Sequence, residues 1–182
     1  MTEDGTAYVL DTGPLSHFAK AQWLGVLKSV LKGCRVLIPD VVEEEVRRGV
    51  DRHPHLHAVL GADWITTVTL DSPAQLRAFA HYASHLVGDN GRNVGECGVL
   101  ALAESLPPGT VAVVDDRVAV EAARGRPVLV RGSLGLMCEA IRTDQLTVTL
   151  VSEMVDDLLR SGYRLPFKPG GFAEWAKREG TF

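Results

Sequence analysis

Ala7-Tyr8-Val9-Leu10-Asp11-Thr12-Gly13-Pro14 is the stretch that decides the fold of this chain. An apolar run suited to a buried strand closes on a carboxylate, and Thr-Gly-Pro then breaks the strand before a helical pattern begins. In an open α/β sheet the carboxyl ends of the strands face the crevice where ligands bind. Asp11 therefore stands where chemistry is done.

Outward from that stretch, strand and helix signals alternate. Trp23, Leu24, Leu27, Val30 and Leu31 recur at helical spacing, and Gly33 stops the helix. Val36-Leu37-Ile38 is a short buried strand, and Pro39 is expected at the first position of a helix reaching about Gly49. Residues 51–61 are polar and irregular, 64–68 form a short or edge strand, and 74–86 a helix. Gly88-Asp89-Asn90-Gly91-Arg92-Asn93 is a loop, 95–106 a helix, and Val111 to Val114 a β-branched strand. Helices near 117–124, 133–142 and 152–161 surround a last strand at 128–130, and a final short helix falls near 172–178. The expected architecture is a three-layer α/β sandwich: a parallel, twisted sheet of four to five strands with helices on both faces. The chain has 182 residues, enough for one well-buried core, so we expect one domain over 1–162 and an extension over 163–182.

Composition narrows the function. With 46% apolar and 23% charged residues and no apolar run near the roughly 20 residues of a membrane span, the chain reads as a soluble, cytoplasmic protein. Its N-terminus, Met1-Thr2-Glu3-Asp4-Gly5, has no signal-peptide character. Cys34, Cys97 and Cys138 are odd in number and far apart, which reads as reduced thiols and not as a disulfide framework or zinc site. A net charge of −4 argues against nucleic acid only if the acids are spread evenly. A metal-binding acidic cluster accounts for the excess, leaving Arg47-Arg48, Arg117, Arg124, Arg126, Arg131 and Arg142 as candidates to track a phosphate backbone.

The acids are not spread evenly. On a helical wheel for the segment after Pro39, Glu43 and Glu44 turn away from Val42 and Val46, whereas Glu45 falls between Val41 and Val42 on the apolar arc. Glu96 lies on the side of Val99, Leu100 and Ala103. An acid on a buried face is costly unless it is paired or holds a metal. Asp115-Asp116 ends the strand at Val114, as Asp11 ends the first, so both belong to one edge of a parallel sheet. Carboxylates gathered there repel by roughly 4 kcal/mol per pair at 4 Å and an effective dielectric near 20, so they need a cation. An all-oxygen donor set favours Mg²⁺ or Mn²⁺. Metal-activated water attacking a phosphodiester fits that inventory without a Ser, Cys or His nucleophile.

Val9-Leu10-Asp11-Thr12-Gly13-Pro14-Leu15, Ile38-Pro39-Asp40-Val41-Val42-Glu43-Glu44-Glu45-Val46, Gly95-Glu96 leading into Leu100-Ala101-Leu102-Ala103, and Val113-Val114-Asp115-Asp116-Arg117 follow one another in an order and spacing that resembles the PIN-domain nucleases. More narrowly, the chain is similar to bacterial and archaeal PIN proteins related to the toxins of VapBC toxin–antitoxin modules, over about residues 7–160. The resemblance implies a metal-dependent endoribonuclease whose four acids are Asp11, Glu45, Glu96 (Asp in many members) and Asp116. Asp11, Glu96 and Asp116 would ligate Mg²⁺ or Mn²⁺, with Asp115 as an alternative or additional ligand. Thr12 matches a small hydroxyl residue often found beside the first acid. Gly98 stands where some relatives carry another acid, which leaves open whether one metal or two is held. Thr12, Arg92 and Arg117 are the substrate-binding candidates, and Asn90 and Asn93 belong either with them or to a polar turn. The implied partners are single-stranded or loop RNA, a cognate antitoxin lying across the acidic groove, and a second copy in a homodimer.

Other readings fare worse. Asp11-Thr12-Gly13 is also the aspartic-protease triplet, but that chemistry needs a second aspartate on an all-β scaffold. A haloacid-dehalogenase-like phosphatase also starts from a strand-end Asp, yet Gly13 occupies the place of its second Asp. His53, His55 and His57, and His81 with His85, could ligate a transition metal, but the first group reads better as a mobile loop and the second as a helix surface. A PIN-like module that binds or regulates without cutting is the main non-enzyme alternative.

Overall fold

The structure is a computed structural model that describes residues 6–88 and 91–180. Asn90, one of the phosphate-contact candidates, lies outside the described residues, as does Asp89 of the same loop.

Five strands, β1 (Ala7–Leu10), β2 (Arg35–Pro39), β3 (Ile65–Val68), β4 (Val111–Val113) and β5 (Leu129–Arg131), form one sheet in the order β3-β2-β1-β4-β5, every neighbour parallel. The chain winds outward from β1 through β2 to β3, then returns to the far side of β1 to add β4 and β5. Right-handed crossovers of opposite direction put helices on both faces, as expected of an α/β sandwich. The order reverses between β1 and β4, where strand-end residues border an open crevice. Asp11 follows β1, and its backbone N–H still bonds to Val113 O at 3.1 Å. Asp115 and Asp116 leave β4 next door.

The helices are α1 (Thr12–Lys20), α2 (Leu24–Val30), α3 (Asp40–Gly49), α4 (His57–Leu60), α5 (Pro73–Leu86), α6 (Val94–Ser105), α7 (Arg117–Ala122), α8 (Ser133–Arg142), α9 (Val148–Arg160) and α10 (Phe172–Arg178). Several boundaries differ from the sequence reading. The first helix begins at Thr12, because the Asp11 carboxylate caps it by accepting from Gly13 N–H at 3.3 Å. Pro39 is not inside α3 but is the last residue of β2, in register with Val68, and sits at the cap position. Residues 51–61 are not irregular: a 3₁₀ turn (Pro54–Leu56) runs into α4 and buries Leu56 and Val59. The helix expected from 152 starts at Val148, where Thr147 caps it through Leu150 N–H.

At the centre of the molecule is α6, packed against β1, β2 and β4. Every residue from Cys97 to Ala103 is buried, so α6 has no polar face along that stretch. Gly98 explains how it comes so close. A Cβ there would overlap the Val41 Cγ2 methyl and stand 3.1 Å from Pro39 Cγ. Any side chain at Gly98 would require Val41 and Pro39 to shift. Gly98→Ala should therefore lower the urea midpoint: the β-branched Val41 and the ring of Pro39 have few ways to yield, and overpacking costs about 1–3 kcal/mol. An unchanged or higher midpoint would show that α6 can shift freely.

Past α9 the chain returns to the body. Phe172 and Ala176 of α10 are buried, and α10 packs on α9. The Trp23 indole N–H donates to Asp157 at 2.8 Å, tying α9 to the first crossover.

Candidate active site at the carboxyl edge of the sheet

Asp11 is the most deeply buried acid among the described residues. It is 6% exposed, one of its oxygens holds Gly13 N–H, and the other, Oδ1, is buried with no hydrogen-bond partner among the described residues. Burial first, then the nearby charges of Glu96 and Glu45, hold its pKa well above the ordinary 3.8, against backbone hydrogen bonds that pull the other way. An orphaned oxygen inside a protein is expensive and calls for a physical account, a bound cation being one that suits a carboxylate.

Glu45 reaches the same place from α3. Its Oε2 accepts from the Thr12 hydroxyl at 2.6 Å, so Thr12 fixes the second acid beside the first. The helical wheel put Glu45 on a buried arc, and this is corrected here: Val42 and Val46 are buried, but Glu45 is exposed at the lip of an open groove. The groove supplies the solvation that a buried arc would have withheld. Gly95, in the first turn of α6, makes the approach possible. A Cβ at Gly95 would stand 2.8 Å from Glu45 Oε2 and 3.1 Å from Asp11 Oδ1, so the two carboxylate oxygens converge on the space a side chain would take.

Glu96 follows on the same turn, half-buried. Burial, and then the charges of Glu45 and Asp116, raise its pKa from the ordinary 4.5. Because α6 is buried on all sides from Cys97 on, an apolar arc does not single Glu96 out. Its place at the helix end nearest the strand edge does. Asp11 feels the charges of Glu96 and Glu45, and Glu96 those of Glu45 and Asp116, so the four expected acids lie near one another at one edge.

The two strand-end aspartates after β4 have separate tasks. Asp116 caps α7, its Oδ1 accepting from Val118 N–H at 2.8 Å and Ala119 N–H at 2.9 Å. Asp115 is engaged through both oxygens: Ser133 N–H reaches Oδ1 and the Ser133 hydroxyl reaches Oδ2, each at 2.7 Å. Tyr163 stands nearby: burial first, then the Asp115 carboxylate, raise its pKa, and its ring lies 4.5 Å from that of His17. Ser133, Tyr163 and His17 were missed by sequence reasoning. A lone serine at a strand–helix junction looks like an ordinary cap, and nothing local connects position 163 with position 115.

Other candidates fall away from the edge. Arg126 pairs with Glu104 on the far side of α6, over the ring of Tyr82. Arg47 and Arg48 pair with Glu43 and Glu44 along α3, Arg124 with Glu121, and Arg131 with Glu139. The Asn93 amide turns back to Leu86 O at 3.1 Å and serves the loop. Arg92 borders the acids, and Arg117 is exposed at the start of α7. His81 and His85 stack with each other on α5, and His55 bonds to Ser16 at 2.9 Å. All three cysteines are free thiols.

The four acids share an edge without closing into a ready ligand set: among the described residues no three His, Cys, Asp or Glu side chains stand together at metal-binding spacing. Their chemistry nonetheless suits a hard divalent cation. The donors are all carboxylate oxygens, one is buried and unpartnered, and the space between two of them is kept clear by a glycine.

A model of the PIN domain matches residues 7–168. No curated protein matches the sequence. Among solved structures the chain is similar to VapBC2 from Rickettsia felis bound to a DNA fragment from its promoter, with 13% identity, 70% of this chain and 98% of that chain covered, and a TM-score of 0.49. No described helix is long and apolar enough to cross a membrane.

Proposed function

This chain belongs to the PIN-domain family, and on that premise we propose that it is a divalent-metal-dependent endoribonuclease, a VapC-like toxin that hydrolyses single-stranded or loop RNA. The observation that carries the reading is the unpartnered Asp11 Oδ1, facing Glu45 across the space left by Gly95. Asp11, Glu96 and Asp116 are the residues that would hold Mg²⁺ or Mn²⁺, which supplies charge neutralisation at the phosphate and lowers the pKa of water. Asp115, held through both oxygens by Ser133, fixes the β4 end from which Asp116 departs and keeps lone pairs that would let it serve as an additional ligand.

The remaining steps belong to the chain. Glu45, oriented by the Thr12 hydroxyl, accepts the proton of the attacking water. The water oxygen forms a new bond to phosphorus, one P–O ester bond breaks, and a proton ends on the leaving oxygen. Arg92, which borders Glu45 and Glu96, and Arg117, exposed next to Asp116, hold flanking phosphates. A cognate antitoxin across the groove, a homodimer and a cytoplasmic setting belong to the same reading.

Metal titration and removal provide the test. Isothermal calorimetry of the purified chain should show Mn²⁺ binding, and Mn²⁺ or Mg²⁺ should support cutting of an unstructured oligoribonucleotide that excess EDTA stops. Absence of Mn²⁺ binding would sink the metal centre. Binding without cleavage would favour the non-cutting, PIN-like binding module.

A further inference from the structure

Two clefts of about 500 and 470 Å³ open beside the acids, and they share a wall made of Glu45, Arg48 and Glu96. One holds Asp11 and runs toward Arg52 and His53, past the end of α3. The other runs toward Arg92 at the start of α6. Glu45 and Glu96 thus stand where the two clefts meet, with Asp11 in one of them, a guanidinium along each and a third, Arg48, in the shared wall.

The Arg52 limb is built to hold something. Its turn is defined: Arg52 N–H and His53 N–H both donate to Gly49 O, at 3.1 and 2.9 Å. The His53 ring lies 5.7 Å from that of His55 at a tilt of 47°, and His55 is anchored in turn by the Ser16 hydroxyl at 2.9 Å. Arg52 is exposed, and no carboxylate among the described residues forms an ion pair with it. A cation beside a flat ring, next to a phosphodiester-cutting centre, matches what an unpaired nucleotide offers: a phosphate and a base face. Arg48, although bonded to Glu44, is a solvent-exposed partner, and such pairs are held by only about 0.3–0.5 kcal/mol.

We infer that these clefts form one through-groove for an RNA single strand, in which Arg52 grips a phosphate and His53 stacks a base on one side of the scissile bond while Arg92 holds the other side. The inference rests on the nuclease reading and extends it. Two residues that no motif marks become substrate-binding residues, and the enzyme needs no chain end.

The test uses the full chain carrying Asp11→Asn, so that a fluorescein-labelled single-stranded oligoribonucleotide is bound and not cut. Adding Arg52→Glu should weaken binding roughly tenfold near 0.1 M salt and flatten the log–log salt dependence by roughly 0.7, the share of one phosphate contact on a single strand. His53→Ala should weaken binding with no change in that slope. With Asp11 intact, a covalently circular RNA should be cut. Wild-type salt slope and affinity in both variants, alongside normal cleavage, would overturn the groove assignment and leave the nuclease reading standing. So would a polyglutamate peptide that binds as tightly as the oligonucleotide, since a protein segment would then be the better occupant. No cleavage and no binding by the unmodified chain would instead overturn both readings.

Discussion

Asp11→Asn should abolish Mn²⁺-dependent cleavage and, in the same molecule, raise the melting temperature of the metal-free protein at neutral pH. The substitution keeps the acceptor for Gly13 N–H, and hence the cap of α1, but removes a charge whose Oδ1 has no partner. Loss of a metal ligand and of charge at the reacting phosphate together cost about 10³-fold or more in rate, the scale seen when a single preorganised electrostatic group is removed. Burial and the charges of Glu96 and Glu45 raise Asp11 above 3.8, and burial with Glu45 and Asp116 raises Glu96 above 4.5. For acids raised in this way the folded state binds more protons than the unfolded state. Their stabilising contribution is full below those ordinary values and disappears as the pH climbs through the raised ones. The metal-free wild type should thus lose stability over that window, and Asp11→Asn should show a shallower loss. For a chain of this size each kcal/mol recovered appears as about 2–4 °C. Added Mn²⁺ should raise the wild-type melting temperature, because a ligand that binds only the folded state stabilises it, and should leave the variant unmoved. A variant that melts lower than wild type across the whole pH range would show that the Asp11 charge is compensated in a way the present geometry does not reveal.

Gly95→Ala should damage the site and spare the fold. The new methyl would lie 2.8 Å from Glu45 Oε2 and 3.1 Å from Asp11 Oδ1. Glu45 is the free end of a long side chain at an open groove and can swing aside, but only by giving up its hydrogen bond to Thr12. Asp11, packed in the core and bound to Gly13, has to tilt by a few tenths of an ångström. We expect Mn²⁺ affinity and turnover to fall about 10–100-fold, the usual effect of disturbing groups that orient metal ligands. Stability should hold or rise slightly, since alanine favours a helix by up to about 1 kcal/mol over glycine. Calorimetry with Mn²⁺ and a urea titration on the same preparation separate the two effects. Wild-type metal affinity in Gly95→Ala would mean that Asp11 and Glu45 do not act on a common ion. The contrast with Gly98 is informative. Three residues along the same helix, a methyl meets Val41 and Pro39 instead of carboxylates, and the cost moves from the site to the fold.

Much of this architecture was legible in the chain. Alternating apolar runs and helical spacings set out five parallel strands and the crossovers between them, because each element must bury one face and only a few layered arrangements allow it. Strand-end acids could be placed for the same reason: a parallel sheet puts all its carboxyl ends on one edge, so Asp11 and Asp115-Asp116 had to be neighbours once β1 and β4 were neighbours. The burial of Glu45 was misjudged because a wheel describes one helix and not the groove beside it. The family resemblance favoured Asp116 over Asp115 as the fourth acid, but the residues alone did not show that Ser133 arrives from another element to hold Asp115.

Residue types and their spacing along the chain determined by themselves that this is an α/β sandwich with acids at its strand ends. Tertiary structure alone decided which oxygen is left bare, which glycine clears space for it, and which aspartate is tied to a serine. It also placed Asp11, Glu45 and Glu96 in the wall of a cleft that runs to Arg52 and His53. Periodicity reports which face of an element is buried. A site depends on distances of about 3 Å between groups tens of residues apart in sequence, and these are set only when the elements pack against one another.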